Sequence, residues 1–358
     1  AGRGGAAGVT AAAGLAGSAG DAGALPSAGA AGATAGAAGA AGATAGAAGG
    51  GGAPPPGLPE PFATAARNAT CSQRGFEAAY RFVQGWEVAR DPITGLYGQE
   101  TDNPIWTPKN AAADLWSFMV LGTYFTDRDA FFGDMRTTLE SEIRLPSRLG
   151  PLPDYFNLER QEFHYSSPGV GRIVFGASEY AKDGLMPVVE ILGPGPYFDR
   201  LVSLADGILE HAPFETPRGN LPDDGREVNG EMMQVLSRLY FATADVRYLD
   251  MAERIASYYL LDDHLGGTLR LADHASEIIG GFSEVHLALK EAGRDVEPLR
   301  VELERFYDRI LELCLNENGQ LYYEVDLDTG EVTRDGMPDT WGYVFDAYYT
   351  YGLVEDVP

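Results

Sequence analysis

From about residue 73 onward the chain repeats one pattern: a helical stretch poor in charge, a short polar turn, then a helical stretch rich in charge. Val228, Met232, Val235, Leu236 and Leu239 fall on one helical face, and Leu303, Phe306, Ile310, Leu313 and Cys314 form a second such stripe. Three joints show the turn: Tyr124 to Phe131, Tyr240 to Leu249, and Leu289 to Asp295. In each, the first helix ends near Thr or Gly, and an Asp stands beside the next helix start, where a carboxylate suits the helix dipole. The second helix carries the charge, as with Asp250, Glu253 and Arg254, or Glu302, Glu304, Arg305, Asp308 and Arg309. Periodicity predicts helices over roughly 74–89, 110–125, 128–145, 175–192, 197–211, 228–240, 246–261, 275–292, 301–314 and 339–353.

Such alternation suits two concentric layers, with inner helices buried on most sides and outer helices showing one face to water. Connections on one side are tight turns; on the other they are long, at 146–172, 212–228, 262–274 and 317–338. Loops of that length, rich in aromatic and charged residues, read as functional. One strand signal interrupts the helices. Gln320–Val325, the turn Asp328-Thr329-Gly330 and the return Glu331–Thr333 predict a small inserted β-hairpin.

The first sixty residues differ in kind. Residues 1–57 are almost wholly Ala and Gly, with a ten-residue unit used twice over 31–50, and within 1–60 only Arg3, Asp21 and Glu60 are charged. Nothing there can anchor a core, so residues 1–60 are expected to form a disordered tether and 61–358 the folded domain. A long Ala/Gly spacer ahead of a folded domain, and a start at Ala rather than Met, lead us to expect an exported, surface-tethered bacterial protein or a fragment. The chain carries 26 basic and 52 acidic residues, a balance of −26 that argues against a nucleic-acid partner. No apolar run outside the Ala/Gly tract is long enough for a transmembrane helix. Two cysteines, Cys71 and Cys314, read as buried thiols, with one long-range disulfide as the alternative. They rule out a thiolate zinc site, and the five scattered histidines form no i,i+4 pair, so neither metal nor cofactor is expected.

The turn-plus-helix segment Ala242-Thr243-Ala244-Asp245-Val246-Arg247-Tyr248-Leu249-Asp250-Met251-Ala252-Glu253-Arg254 is similar to the hairpin repeats of (α/α) toroids. These are the six-hairpin glycosidases and their relatives among polysaccharide lyases and sugar epimerases. The resemblance covers roughly 75–355 and lies in repeat style, without a diagnostic catalytic signature. It implies an all-α (α/α) toroid of five to six hairpins with a small β-hairpin insertion. Ten or eleven helices are countable rather than twelve, so an incomplete ring is an open alternative, as is an irregular α-solenoid. In function it implies a carbohydrate-active enzyme cleaving glycosidic bonds of an oligo- or polysaccharide, as hydrolase or lyase. A non-catalytic glycan-binding or surface scaffold protein and a sugar epimerase or isomerase are the alternatives.

If inner helices follow the long loops, their N-termini meet in one funnel, and an acid recurs near each start. The series runs Asp114; Glu179; Glu227, Asn229 and Glu231; Asp273, His274 and Glu277; then Asp339, Trp341 and Tyr343. Each acid alone is explained as a cap; gathered at one rim, a pair would serve as general acid and base across a glycosidic bond. Glu231, beside an apolar stripe, is the expected proton donor and Asp339 its partner, with Asp273, Glu277 and His274 as further catalytic candidates. Trp106, Trp341 and Tyr343 would supply sugar-stacking rings, and Arg226 and Asn229 polar contacts. Loop arginines Arg172, Arg226 and Arg270 would either clamp a uronate carboxylate or pair with nearby acids.

Overall fold

The structure, a computed structural model, describes residues 59–357, so the expected tether lies outside the described residues except for its last two positions. Five outer–inner helix pairs follow one another. Helix α1 (Phe62–Glu87) precedes α2, which starts as a π-helix (Pro108–Trp116) and continues as Ser117–Thr126. The short α3 (Arg128–Phe132) and α4 (Asp134–Arg144) lead to α5, which runs Val170–Glu179, a π-helical segment Tyr180–Leu185, then Met186–Leu192. Then come α6 (Pro196–His211), α7 (Arg226–Thr243), α8 (Val246–Leu260), α9 (Glu277–Glu291, entered through a 3₁₀ turn Asp273–Ser276), α10 (Glu297–Leu313) and α11 (Trp341–Glu355).

The inner helices α2, α5, α7, α9 and α11 pack in sequence, each on the next, and the outer helices cover them. Inner α7 is buried on nearly every side from Val228 to Leu239, whereas outer α10 buries only Leu299, Leu303, Phe306, Tyr307 and Ile310. That contrast is the charge alternation of the sequence expressed in space. Gly230 lets α7 and α9 approach: a Cβ there would lie 2.3 Å from the Ile278 nitrogen and 2.5 Å from the Glu277 carbonyl carbon. Gly230→Ala is therefore expected to destabilise the fold by about 3 kcal/mol, because two backbones would have to part. Urea unfolding that matched the native chain would refute that close crossing.

Several elements depart from expectation. Helix α1 begins twelve residues early, and along its length only Val83 is buried. Cys71 consequently sits exposed, while Cys314 is buried at the end of α10, and both are free thiols; the expectation of two buried thiols fails for Cys71 because, among the described residues, none buries the first half of α1. The stretch 128–145 breaks at Gly133, where ψ of −81° ends the helical turn capped by Asp127. Helices α2, α5 and α10 start before their predicted bounds; Thr107 caps α2 by accepting from the Asn110 and Ala111 amides, ahead of Pro108.

The predicted hairpin is present as β7 (Glu324–Asp326) and β8 (Val332–Arg334), shorter than expected. Strand β6 (Thr268–Arg270) pairs with β7, making three strands that tie the loops before α9 and α11 together. Leu321 bridges Leu315 and does not extend the ladder. Short strands β1 (Ile105–Trp106), β4 (Phe156–Asn157) and β5 (Glu162–Phe163) form another sheet, and β2 (Ser147–Leu149) pairs with β3 (Leu152–Pro153). They order the long loop before α5. Among the described residues no helix is long and apolar enough to cross a membrane.

Candidate active site

The middle of α5 and the starts of α7, α9 and α11 bring two groups of ionisable side chains together. The first group is Glu179, Glu227 and Glu231, which each offer a carboxylate oxygen within 4.8 Å of the others. Glu227 and Glu231 are four residues apart, so they share one face of α7, and Glu179 comes from the last turn before the π-helical segment of α5. Such segments are frequent at functional sites, because a wider turn re-aims the side chains beside it.

Depth separates the three acids. Glu231 is fully buried, and among the described residues neither of its oxygens has a hydrogen-bond partner. Ser178 beside it gives its proton to the Phe175 carbonyl instead. Burial pushes the Glu231 carboxyl well above its usual range, and the charges of Asp183, Glu179 and Glu277 add to this. Glu179 is 8% exposed, and burial raises its pKa to about 7. Glu227 is half-buried and is also pushed up by burial, with His274 acting against the shift. The result is a graded set with Glu231 dry beneath and its carboxyl pushed up the furthest, Glu179 poised near neutrality and Glu227 nearest solvent.

The second group is ion-paired. Lys182 bonds the carboxylates of Asp183 (2.9 Å) and Glu277, and its ammonium lies 4.5 Å from the centre of the Tyr343 ring on α11. Gln234 donates to the Glu277 carboxylate and, at 3.2 Å, to its carbonyl. Burial alone would raise Glu277, but His274, Lys182 and Gln234 outweigh it and hold its pKa low. His274 Nδ1 lies 3.6 Å from Glu277 and 3.5 Å from Asp183. Glu277 does most to raise the imidazole to about 9, against the opposing effect of burial, so His274 is a cation at neutral pH.

The structure thus brings Glu231, Glu277, His274 and Tyr343 to one place. Asp339 lies elsewhere in role: exposed, it accepts from the Asp273 amide at 3.1 Å, and that donor holds its carboxyl below the usual range. Asp273 bonds Arg270 at 2.9 Å. Trp106 is buried in the core on β1, and Trp341 is 45% exposed against Phe345. Asn229 pins the start of α7 by donating to the Asp223 and Gly225 carbonyls and to the Tyr259 hydroxyl. Arg226 is spent on the carbonyls of Thr268 and Gly266.

Lys182, Asp183 and Gln234 were not among the expected site residues. Reading only loop ends and first turns passed over them, since they sit two to four turns into their helices. Glu179 and Asp183 repeat the i,i+4 spacing of Glu227 and Glu231, which was the available signal.

No family model and no curated protein matches the chain. Among solved structures it is similar to the cellobiose 2-epimerase of Bacillus thermoamylovorans B4167, at 14% identity and a TM-score of 0.51, over 81% of this chain and 82% of that one. An unsaturated glucuronyl hydrolase specific for heparin gives 11% identity and a TM-score of 0.44, over 70% of this chain and 76% of that one. At such identity the likeness to the epimerase is one of fold, and the fold is the (α/α) toroid.

Proposed function

We propose that the chain is a carbohydrate-processing enzyme that uses Glu179 and Glu227 for acid–base chemistry on a saccharide held at the toroid mouth. The observation that carries this is the close trio Glu179–Glu227–Glu231, with its pKa values spread by depth. Glu231 is too deep to touch a sugar. It lies beneath Glu179, whose own burial, with the charge of Glu227 beside it, raises its pKa to about 7.

In glycoside hydrolysis the Glu179 carboxyl would give its proton to the glycosidic oxygen as the bond to the anomeric carbon breaks. The spacing of the trio is nearer that of retaining pairs, about 5–5.5 Å, than of inverting ones. Glu227 would then attack the anomeric carbon, and water would release the sugar while returning its proton to Glu179. In the ion-paired group, His274 would serve as a charged donor to a sugar hydroxyl, held in place by Asp183 and Glu277.

The fold's likeness to a cellobiose 2-epimerase supports a second reading, in which the same coupled acids move a proton on and off a sugar carbon. Incubation with cellobiose and other neutral oligosaccharides separates the two: hydrolysis yields new reducing ends, epimerisation a new isomer of unchanged length. Neither product from any such glycan would leave the scaffold alternative standing and overturn the enzymatic reading. For the hydrolase, turnover is expected to fall as pH rises through about 7, because Glu179 loses the proton it must donate. Export and attachment through residues 1–60 remain part of this proposal, supported by composition.

A further inference from the structure

We propose that the loop before α5 carries a sugar-binding subsite, the aromatic pair Tyr155 and Tyr165, that receives an uncharged pyranose ring beside Glu179. The inference rests on the saccharide reading above and adds to it the place and the charge class of the substrate.

Four observations support it. The two rings lie 5.5 Å apart, Tyr165 is 38% exposed, and Tyr155 is half-buried. Arg172, in the first turn of α5, bonds Asp154 and lies against Tyr165, which sets the pair at the N-terminal end of the helix that carries Glu179, and the Glu179 charge reaches Tyr155. The platform is also built rigidly. Asp154, buried to 1%, accepts from Arg148 at 2.9 Å and from Arg172 at 3.0 and 2.9 Å. Arg148 also donates to the carbonyls of Tyr165 and Ser166 at 2.8 and 2.9 Å, and the His164 amide donates to the Tyr155 carbonyl. The Arg172 guanidinium lies 3.9 Å from the Tyr165 ring centre, bracing one face. Stiff, partly exposed aromatic surface binds the flat C–H face of a sugar without much ordering cost.

Charge defines the class. The arginines that would clamp a uronate are committed: Arg148 and Arg172 to Asp154, Arg226 to two backbone carbonyls, Arg270 to Asp273 and Tyr323. Lys182 is held by Asp183 and Glu277. Lys182 and His274 are balanced by Asp183 and Glu277, and beside them Asp114, Glu227 and an ionised Glu179 outnumber Lys109, so a substrate carboxylate would meet net like charge.

The test is binding by calorimetry and ligand-observed NMR, on the full chain, of neutral tetraoses (cello-, manno- and xylotetraose) and of tetragalacturonate. Native protein is expected to bind a neutral tetraose and to bind the uronate at least tenfold more weakly. Tyr165→Ala and Tyr155→Ala are each expected to weaken neutral binding about tenfold, and Tyr165→Phe to leave it unchanged, because the ring and not the hydroxyl does the stacking. Unchanged melting temperatures identify folded variants, and should an alanine variant misfold, Tyr165→Leu, which keeps bulk but loses the ring, is expected to weaken neutral binding about as much. Neutral binding that persists in both alanine variants refutes the platform and leaves the saccharide reading intact. Equal or tighter binding of the uronate refutes the charge class. No binding of any tetraose by the native chain overturns this proposal and counts against the saccharide reading as well.

Discussion

Replacing Glu179 by Gln is expected to abolish turnover and at the same time to stabilise the fold. A positioned general acid contributes typically 10²–10⁴-fold, so loss of roughly that factor in kcat is expected. The stability gain has a separate origin. Glu179 is nearly buried, and its carboxyl ionises at about 7 when folded, above the ordinary value of 4.5. A group raised in this way binds its proton more tightly in the folded state. Its stabilising contribution is complete below pH 4.5 and is lost as pH climbs through 7. Glutamine has no proton to lose, so the variant should gain on the native chain between about pH 5 and 8. The difference approaches about 3 kcal/mol, since one pKa unit is worth about 1.4. Urea unfolding at several pH values beside an activity assay reads both effects. An active variant would show that Glu179 is not the proton donor, and one whose stability tracks the native chain across that range would show that it is not a strained buried acid.

Arg200→Met is the largest expected loss of stability. Arg200 on α6 and Glu142 on α4 each have side chains 1% exposed and are joined by two hydrogen bonds, the Nε one at 2.9 Å. Arg200 also donates to the Pro151 carbonyl at 2.8 Å, between β2 and β3, so the pair fastens two outer helices to the loop that bears Asp154 and Tyr155. Removing the guanidinium strands a buried carboxylate whose pKa burial already raises. The expected cost is about 3–5 kcal/mol, a fall in Tm of order 10 °C. The double variant Arg200→Met with Glu142→Leu is expected to recover most of the loss, since no charge is then left unpaired. A double variant as unstable as the single one would mean that packing, not the uncompensated charge, sets the cost.

Particular residues show how much was legible beforehand. The stripe Val228–Leu239 is visible in one dimension, because a helix buried on its apolar face must repeat at 3.6 residues, and α7 carries it as predicted. The layering was legible for the same reason. Glu231 drew notice through its place beside that stripe, and it is fully buried. Its expected pairing with Asp339 rested on spacing within separate helices, which says nothing of distance between them. Asp339 sits at the surface, bound to a backbone amide, while Glu179 and Glu227 stand beside Glu231. Lys182, Asp183 and Gln234 stayed hidden because depth along an inner helix, not nearness to a loop, decides which side chains face the hollow.

The amino-acid order alone determined the helical periods, the division into charge-poor and charge-rich helices, and the presence of acids near the inner helix starts, all of them properties of neighbours along the chain. Which acids meet, which lie dry and which arginines are already held was decided only by the packing of α5 against α7 and α7 against α9. Carboxyl pKa values depend on burial and on charges within a few ångströms, and those distances exist only once the helices have crossed.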